Sequence, residues 1–416
     1  MTGLRAIVMG AARQLWLWRY RKHFVSKPAA SLPRLLVDVS VICRKDAQTG
    51  IQRVVRAIWT ELGKQNGTTF ELVPIVATSS GGYRKVPIDF LERKPLRRFG
   101  EIAAAGRGDC FLGLDLAAHY LPHYSEQLRS WKAAGAQLSI VVYDLLPALH
   151  PEWFLPNVGA RFRRWLTFLA DVADRAVCIS QQVAVDLEAH LQISGRKKLH
   201  VSTIPMGSDL AASRPSEGIC DDVARLLHRL ERHPAVLMVG TVEPRKAYDV
   251  ALNAFDHLWR SDPKAPDLVI VGKAGWMTER LQDRLRNHAE HGNRLHWLQT
   301  VSDEGLTRLY EASTGLLMTS YGEGFGLPVL EAAAHGKPVL ARNLPVFREQ
   351  ERRWISFFDD DRPEMLARSI AQLARTERRG VTGAARLPTW HDSVNELLKV
   401  LGFGDQKRKA NVGKSI

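Results

Sequence analysis

The sequence is poor in cysteine, in long apolar runs and, at its start, in acid. Four cysteines occur in 416 residues, Cys43, Cys110, Cys178 and Cys220. They are scattered with no Cys-x-x-Cys pair, which argues against a thiolate metal site and fits buried thiols in a reducing cytosol. No stretch of about 18 apolar residues is present, so no membrane-crossing helix is expected. No internal repeat is evident. No acid precedes Asp38, whereas Arg5, Arg13, Arg19, Arg21, Lys22 and Lys27 fall among Leu15, Trp16, Trp18 and Tyr20. Bases and aromatics on one short helix suit the headgroups of an anionic inner leaflet, and a peripheral place on that membrane face is expected. A disordered or locally docked extension explains the same composition. Arg13 interrupts the apolar core that a signal peptide needs.

What is present fits a two-domain globular protein, since 416 residues with 45% hydrophobic and 25% charged content can bury two cores. A net charge of +14 suits anionic partners. The bases are dispersed and no recognition module is found, so nucleic acid is not an expected partner. From residue 35 short apolar runs alternate with longer amphipathic ones, the pattern of a doubly wound α/β chain. Strands are expected at residues 35–42, 72–77, 110–114, 138–143, 176–179 and 199–204. A second series follows at 235–239, 267–272, 295–298, 315–318, 338–341 and 355–358. The strand signal lapses between them. The resulting division is an N-terminal extension over 1–30, a first domain over 31–215, a linker over 216–234 and a second domain over 235–385. A C-terminal helix over 386–403, reaching back toward the first domain, and a basic disordered tail over 404–416 complete it.

The chemistry concentrates in the second domain. The apolar run ending at Met318 enters a loop with Gly322, Glu323, Gly324, Phe325 and Gly326, and Leu327, Pro328 and Glu331 then open a helix that Gly336 is placed to end. Glycines let a ligand approach the backbone, and N–H groups at a helix start attract phosphate. The phosphates need no acids, so Glu323 and Glu331 are candidates for sugar and ribose hydroxyls. A second turn, from Gly240 through Glu243 and Pro244 to Arg245 and Lys246, leaves the domain's first strand. It sets a guanidinium fork beside an ammonium over the same strand ends.

In the first domain, Gly50 can bend a loop, and Arg53 and Arg56 fall at the start of a helix; an ordinary amphipathic helix explains both arginines equally well. Asp144, at a strand's carboxyl end beside Tyr143, suits an acceptor contact or a capping role. His119 and His123 lie four apart with Pro122 between them and no Glu, which disfavours a zinc site. The Asp359–Asp361 run reads as a solvated loop, so no metal site is expected. A nicotinamide dehydrogenase would need Gly-x-Gly-x-x-Gly, a spacing that Gly322, Gly324 and Gly326 lack.

The Glu323 to Glu331 stretch resembles the E-x7-E signature of retaining glycosyltransferases of family 4, and the Gly240 to Lys246 turn resembles that family's G-x-x-x-x-R-K element. The resemblance covers residues 35 to 400. It implies two facing Rossmann-like domains of the B-type glycosyltransferase fold with an interdomain crevice, acceptor in the first domain and nucleotide sugar in the second. It further implies donor contacts from Gly240, Gly324, Phe325, Gly326, Leu327 and Glu331, and catalytic contacts from Arg245, Lys246 and Glu323. Many members carry His where Tyr143 stands; that His is missing here, which leaves Asp144 as the acceptor-side catalytic candidate, with Gly50, Arg53 and Tyr143 around it. The first-domain segments Thr49 to Arg53 and Tyr143 to Pro147 look like a bacterial subgroup that builds O-antigen and exopolysaccharide, often with mannose from GDP-mannose on lipid-linked glycan. The implied reaction is metal-independent, with the nucleotide sugar as substrate and no cofactor. A sugar-nucleotide epimerase of the same fold and a non-catalytic sugar-nucleotide-binding protein are the alternatives.

Overall fold

The computed structural model describes residues 32–46, 49–78, 82–92, 99–195, 199–209, 216–350, 354–375 and 386–404. The extension over residues 1–30, nearly all of the basic tail and any membrane docking by either lie outside the described residues. Two α/β units follow one another. The first holds β1 (Arg34–Asp38), β2 (Glu71–Thr78), β3 (Gly82–Lys85), β4 (Cys110–Gly113), β5 (Gln137–Val142), β6 (Arg175–Cys178) and β7 (His200–Thr203). They form one sheet in the order β3-β2-β1-β4-β5-β6-β7. Only the β2–β3 pair is antiparallel. The second unit holds β8 (Ala235–Val239), β9 (Asp267–Val271), β10 (Leu295–Leu298), β11 (Gly315–Met318), β12 (Val339–Arg342) and β13 (Ile355–Phe358). These are parallel, in the order β10-β9-β8-β11-β12-β13. Parallel strands covered on both faces are apolar at nearly every position, and Ala235 to Met238 and Gly315 to Met318 are buried throughout. In each sheet the strand order reverses beside the first strand, which opens a crevice at the carboxyl ends.

Three boundaries differ from the sequence reading. The run at 35–42 is strand only as far as Asp38, and Ser40–Arg44 turns into a short helix. Buried carboxylates cause the turn: Asp38 accepts from the Ser40 N–H (2.9 Å) and Asp115 from those of Val41 (3.0 Å) and Ile42 (2.7 Å), so these amides leave the ladder. The edge strand Gly82–Lys85 has no counterpart among the expected strands. The stretch 216–234 is not an open linker. It carries the helix Asp221–Leu230, whose Val223, Leu226 and Leu230 share a core with Leu306, Leu309 and Tyr310 of the second unit. The helix Trp390–Leu401 packs on Gly50–Lys64, and its Trp390, Val394, Leu397 and Leu401 lie in the first unit's core. Thr389 and Asp392 cap its start reciprocally.

Candidate functional site

The turn after β8 is held by its own residues. Ala247 takes a left-handed conformation (φ 50°) that ends the turn Pro244–Lys246 and starts the helix Tyr248–Ser261. The Thr319 hydroxyl, just past β11, donates to the carbonyls of Lys246 (2.8 Å) and Ala247 (3.0 Å), and the Tyr321 N–H donates to the Arg245 carbonyl (2.7 Å). These bonds tie the two motifs of the second unit together. Between them Glu323 accepts from Arg245 Nη1 (2.7 Å), Lys246 Nζ (2.5 Å) and Ser320 Oγ (2.7 Å). On its other side Arg245 Nε meets the buried Glu243 at 2.7 Å. Burial works against the charge of Glu323, yet Arg245 and Lys246 outweigh it and hold the carboxyl down at about 2. Burial pulls the Lys246 ammonium below its ordinary value, against the attraction of Glu323. Burial raises Glu243 above the usual carboxylate range.

The glycine loop meets the first unit. A Cβ on Gly324 would stand 2.0 Å from the Tyr143 carbonyl oxygen, and the Ser180 hydroxyl donates to the Gly324 carbonyl at 2.7 Å. The close approach that requires glycine here is therefore to first-unit backbone. Gly326 has φ 88° and lies against the Phe347 ring, then starts the helix Leu327–Ala334, in which Glu331 is 3% exposed. Further contacts cross beside it. Trp276 Nε1 donates to the Trp153 carbonyl at 2.9 Å, and Glu349 accepts from the N–H groups of Gln181 (2.8 Å) and Gln182 at the start of the helix Gln181–Ile193.

On the first-unit wall Asp144 is half-buried after β5 and accepts from the N–H of Leu146, the first residue of the short helix Leu146–Leu149, at 3.0 Å. Burial raises its carboxyl to about 6 against the pull of Arg245, with Glu323 and Glu243 adding to the rise. Asp144 thus stands within electrostatic reach of the clamp. Tyr143 does not line the crevice: its phenol is buried and donates to the Leu114 carbonyl at 2.7 Å, because a buried hydroxyl needs an acceptor, and only its backbone reaches Gly324. Gly50 and Arg53 both face the second unit. Gly50 approaches Leu327 of the second unit, and Arg53 pairs with Glu331 and, at 2.9 Å, with Asp303.

The sequence reading missed Glu243, Ser180, Asp303, Tyr310 and Glu349. Glu243 had a signal, an acid inside a phosphate-type turn directly before Pro244 and Arg245. The others act through contacts between distant segments. Among the described residues no group of three or more His, Cys, Asp or Glu is arranged to hold a metal ion. Asp360 pairs with Arg362 and Asp361 with Arg342. Nor, among those residues, is any helix long and apolar enough to cross a membrane.

Two parallel-sheet α/β units that meet along the carboxyl ends of their strands, with a cation pair and two acids on the second unit's side, have the B-type glycosyltransferase fold. Residues 227–382 match the family described as glycosyl transferases group 1. The chain is 39% identical over 380 residues to a serotype-specific mannosyltransferase WbdA of Escherichia coli, a match covering 88% of this chain and 46% of that protein. The chain therefore spans about half the length of the curated relatives it matches. A D-inositol 3-phosphate glycosyltransferase of Salinispora tropica is 31% identical over 248 residues, 55% of this chain and 51% of that protein. Among solved structures, Anabaena Alr3699/HepE in complex with UDP and glucose superposes with a TM-score of 0.57 at 16% identity, over 92% of this chain and all of that one. That likeness supports the fold.

Proposed function

We propose that the chain is a retaining, metal-independent glycosyltransferase that moves a hexose, mannose from GDP-mannose, to a lipid-linked or polysaccharide acceptor in bacterial surface glycan synthesis, at the cytoplasmic face of the membrane. The observation that carries the reading is Glu323 held between Arg245 Nη1 and Lys246 Nζ. A carboxylate there marks where a diphosphate's oxygens can be gripped and where a sugar hydroxyl can be received. The names of the Escherichia coli relatives favour mannose. The solved complexes with UDP favour a nucleoside diphosphate without favouring a base.

In this reading Arg245 and Lys246 meet the charge that develops on the departing diphosphate, as preorganised donors. Asp144 is the carboxylate on the acceptor-side wall, and one of its oxygens is held by the Leu146 N–H at 3.0 Å, which favours front-face attack over a covalent glycosyl-enzyme. The acceptor oxygen bonds to the anomeric carbon as the bond from that carbon to the phosphate oxygen breaks, and the acceptor proton passes to the leaving phosphate. Asp144 lies on the wall that would face the acceptor. The test is release of nucleoside diphosphate from a panel of GDP-, UDP- and dTDP-sugars, each with and without a lipid-linked mannan acceptor. Acceptor-dependent release of GDP is expected. Faster release of UDP or dTDP overturns the donor, interconversion of the donor alone indicates an epimerase, and binding without turnover indicates a sensor.

A further inference from the structure

Arg53 belongs by sequence to the first unit, at the fourth position of the helix Gly50–Lys64, whose start Thr49 and Gln52 cap reciprocally. Its guanidinium nevertheless points across the boundary. Nη1 donates to Glu331 Oε1, and Nη2 donates to Asp303 Oδ1 at 2.9 Å. The Tyr310 hydroxyl donates to the other oxygen of Glu331 at 2.8 Å. Arg53 and Glu331 are well buried, at 15% and 4% side-chain exposure, and Arg53 Nε has no hydrogen-bond partner. Asp303 also accepts from the N–H and hydroxyl of Ser216 (2.9 and 3.0 Å), so it is fixed independently of Arg53. Each carboxylate oxygen has two lone pairs, so Glu331 can hold Arg53 and Tyr310 and still accept a hydroxyl.

We propose that Arg53 is a positioning residue for the nucleotide half of the donor site: supplied by the opposite unit, it orients Glu331, so the grip on the ribose is complete only when the two units are closed. This rests on the proposed function, in which Glu331 receives the ribose. A fork-shaped cation can hold two carboxylates at once, and an ammonium cannot reproduce that geometry. Without Arg53, Glu331 keeps a single phenol as partner while buried, so its carboxylate is under-held and free to turn. Nucleoside binding and closure are then one equilibrium, because the ligand favours the state in which Arg53 reaches Glu331.

The experiment is calorimetric binding of GDP, UDP and inorganic pyrophosphate to the full chain and to Arg53→Ala, Arg53→Lys, Glu331→Ala, Asp303→Asn and the Arg53→Ala/Glu331→Ala pair. Each protein's melting is checked first. The Ala variants at Arg53 and Glu331 are expected to weaken the preferred nucleoside diphosphate about tenfold. The double variant should be no worse than the poorer single one, and Lys should restore only part of the loss. Pyrophosphate, which has no ribose, should bind all of them alike, and Asp303→Asn, which keeps an oxygen for Arg53 Nη2, should lose less than Arg53→Ala. Additive losses, an equal loss for pyrophosphate, or an Asp303→Asn loss matching that of Arg53→Ala overturns the proposal in favour of plain adhesion between units. If any variant fails to melt cooperatively, the Arg53→Lys comparison decides alone: full affinity there overturns the proposal. A parent protein that binds none of the nucleoside diphosphates overturns the proposed function, and this inference with it.

Discussion

The two ends of the proposed donor site are built differently. At the phosphate end, Arg245, Lys246, Glu243 and Glu323 all belong to the second unit and come from two short turns that hydrogen-bond to each other. At the nucleoside end, Glu331 is completed by Arg53 from the first unit, 278 residues away in sequence. The phosphate end is therefore preorganised by local structure, whereas the nucleoside end depends on how the units meet. Loss of a group at the first should impair chemistry, and loss of a group at the second should impair binding.

The largest effect is expected at Lys246. Lys246→Ala should lower turnover on the order of 10²- to 10³-fold, the usual consequence of losing one donor aimed at developing charge. With a donor whose leaving group is already a weak base the loss should shrink, because less charge then needs compensation. A uniform loss across leaving groups would place Lys246 in ground-state binding and erase the contrast between the two ends.

The next effect has opposite signs at the two acids. In the proposed site Glu323 would compete with phosphate for Arg245 and Lys246, so Glu323→Ala should bind nucleoside diphosphate at least as tightly as the parent while its turnover falls, since the proposed sugar contact, which tightens in the transition state, is lost. Glu331→Ala should weaken nucleoside diphosphate about tenfold with a smaller change in turnover. Steady-state kinetics with calorimetry separate the two; equal affinity of parent and Glu331→Ala would remove the ribose assignment.

A smaller effect concerns pH. Asp144 is raised to about 6 from an ordinary value of about 3.9. Its stabilising contribution is present below the unfolded value and is lost as pH rises through about 6. Asp144→Asn should consequently match the parent near pH 4 and be more stable above pH 6, by an amount on the order of 1 kcal/mol after solvent screening. Glu323 behaves oppositely: depressed to about 2, it stabilises above its unfolded value and the gain is lost as pH falls toward 2. Melting curves from pH 3 to 8 check both signs, and a Glu323-like response from Asp144→Asn would contradict the placement of Asp144 among acids.

An effect separate from either end of the site is expected from residues 1–30. Their bases and tryptophans should add about 1 kcal/mol of affinity per base for anionic vesicles. Flotation of full-length and truncated chains measures it, and equal binding by both removes the idea.

The same contrast decides what the sequence made legible. Arg245, Lys246 and Glu323 lie in two turns and Glu331 in the helix that follows the second, a stretch whose glycine, proline and charge spacing is itself the signal, and the central strands of the second unit stand out as continuous apolar runs because both their faces are buried. The role of Arg53 was not legible, since a base at a helix start also reads as a solvated face and its partners lie in another unit. Tyr143 misled for a related reason. Its place at a strand end suggests a crevice, but rotamer and burial direct the phenol to Leu114. The end of β1 was hidden by Val39, Val41 and Ile42, which continue an apolar pattern while Asp38 and Asp115 draw the backbone into a turn.

The most direct test of the account is the anomeric configuration of the product formed by the full chain in excess EDTA, read from the one-bond carbon–hydrogen coupling at the new anomeric centre. Front-face transfer on a clamp of Arg245 and Lys246 predicts an α-linked product from an α-linked donor at an undiminished rate. A β-linked product, or activity lost to EDTA and restored by manganese, would contradict it.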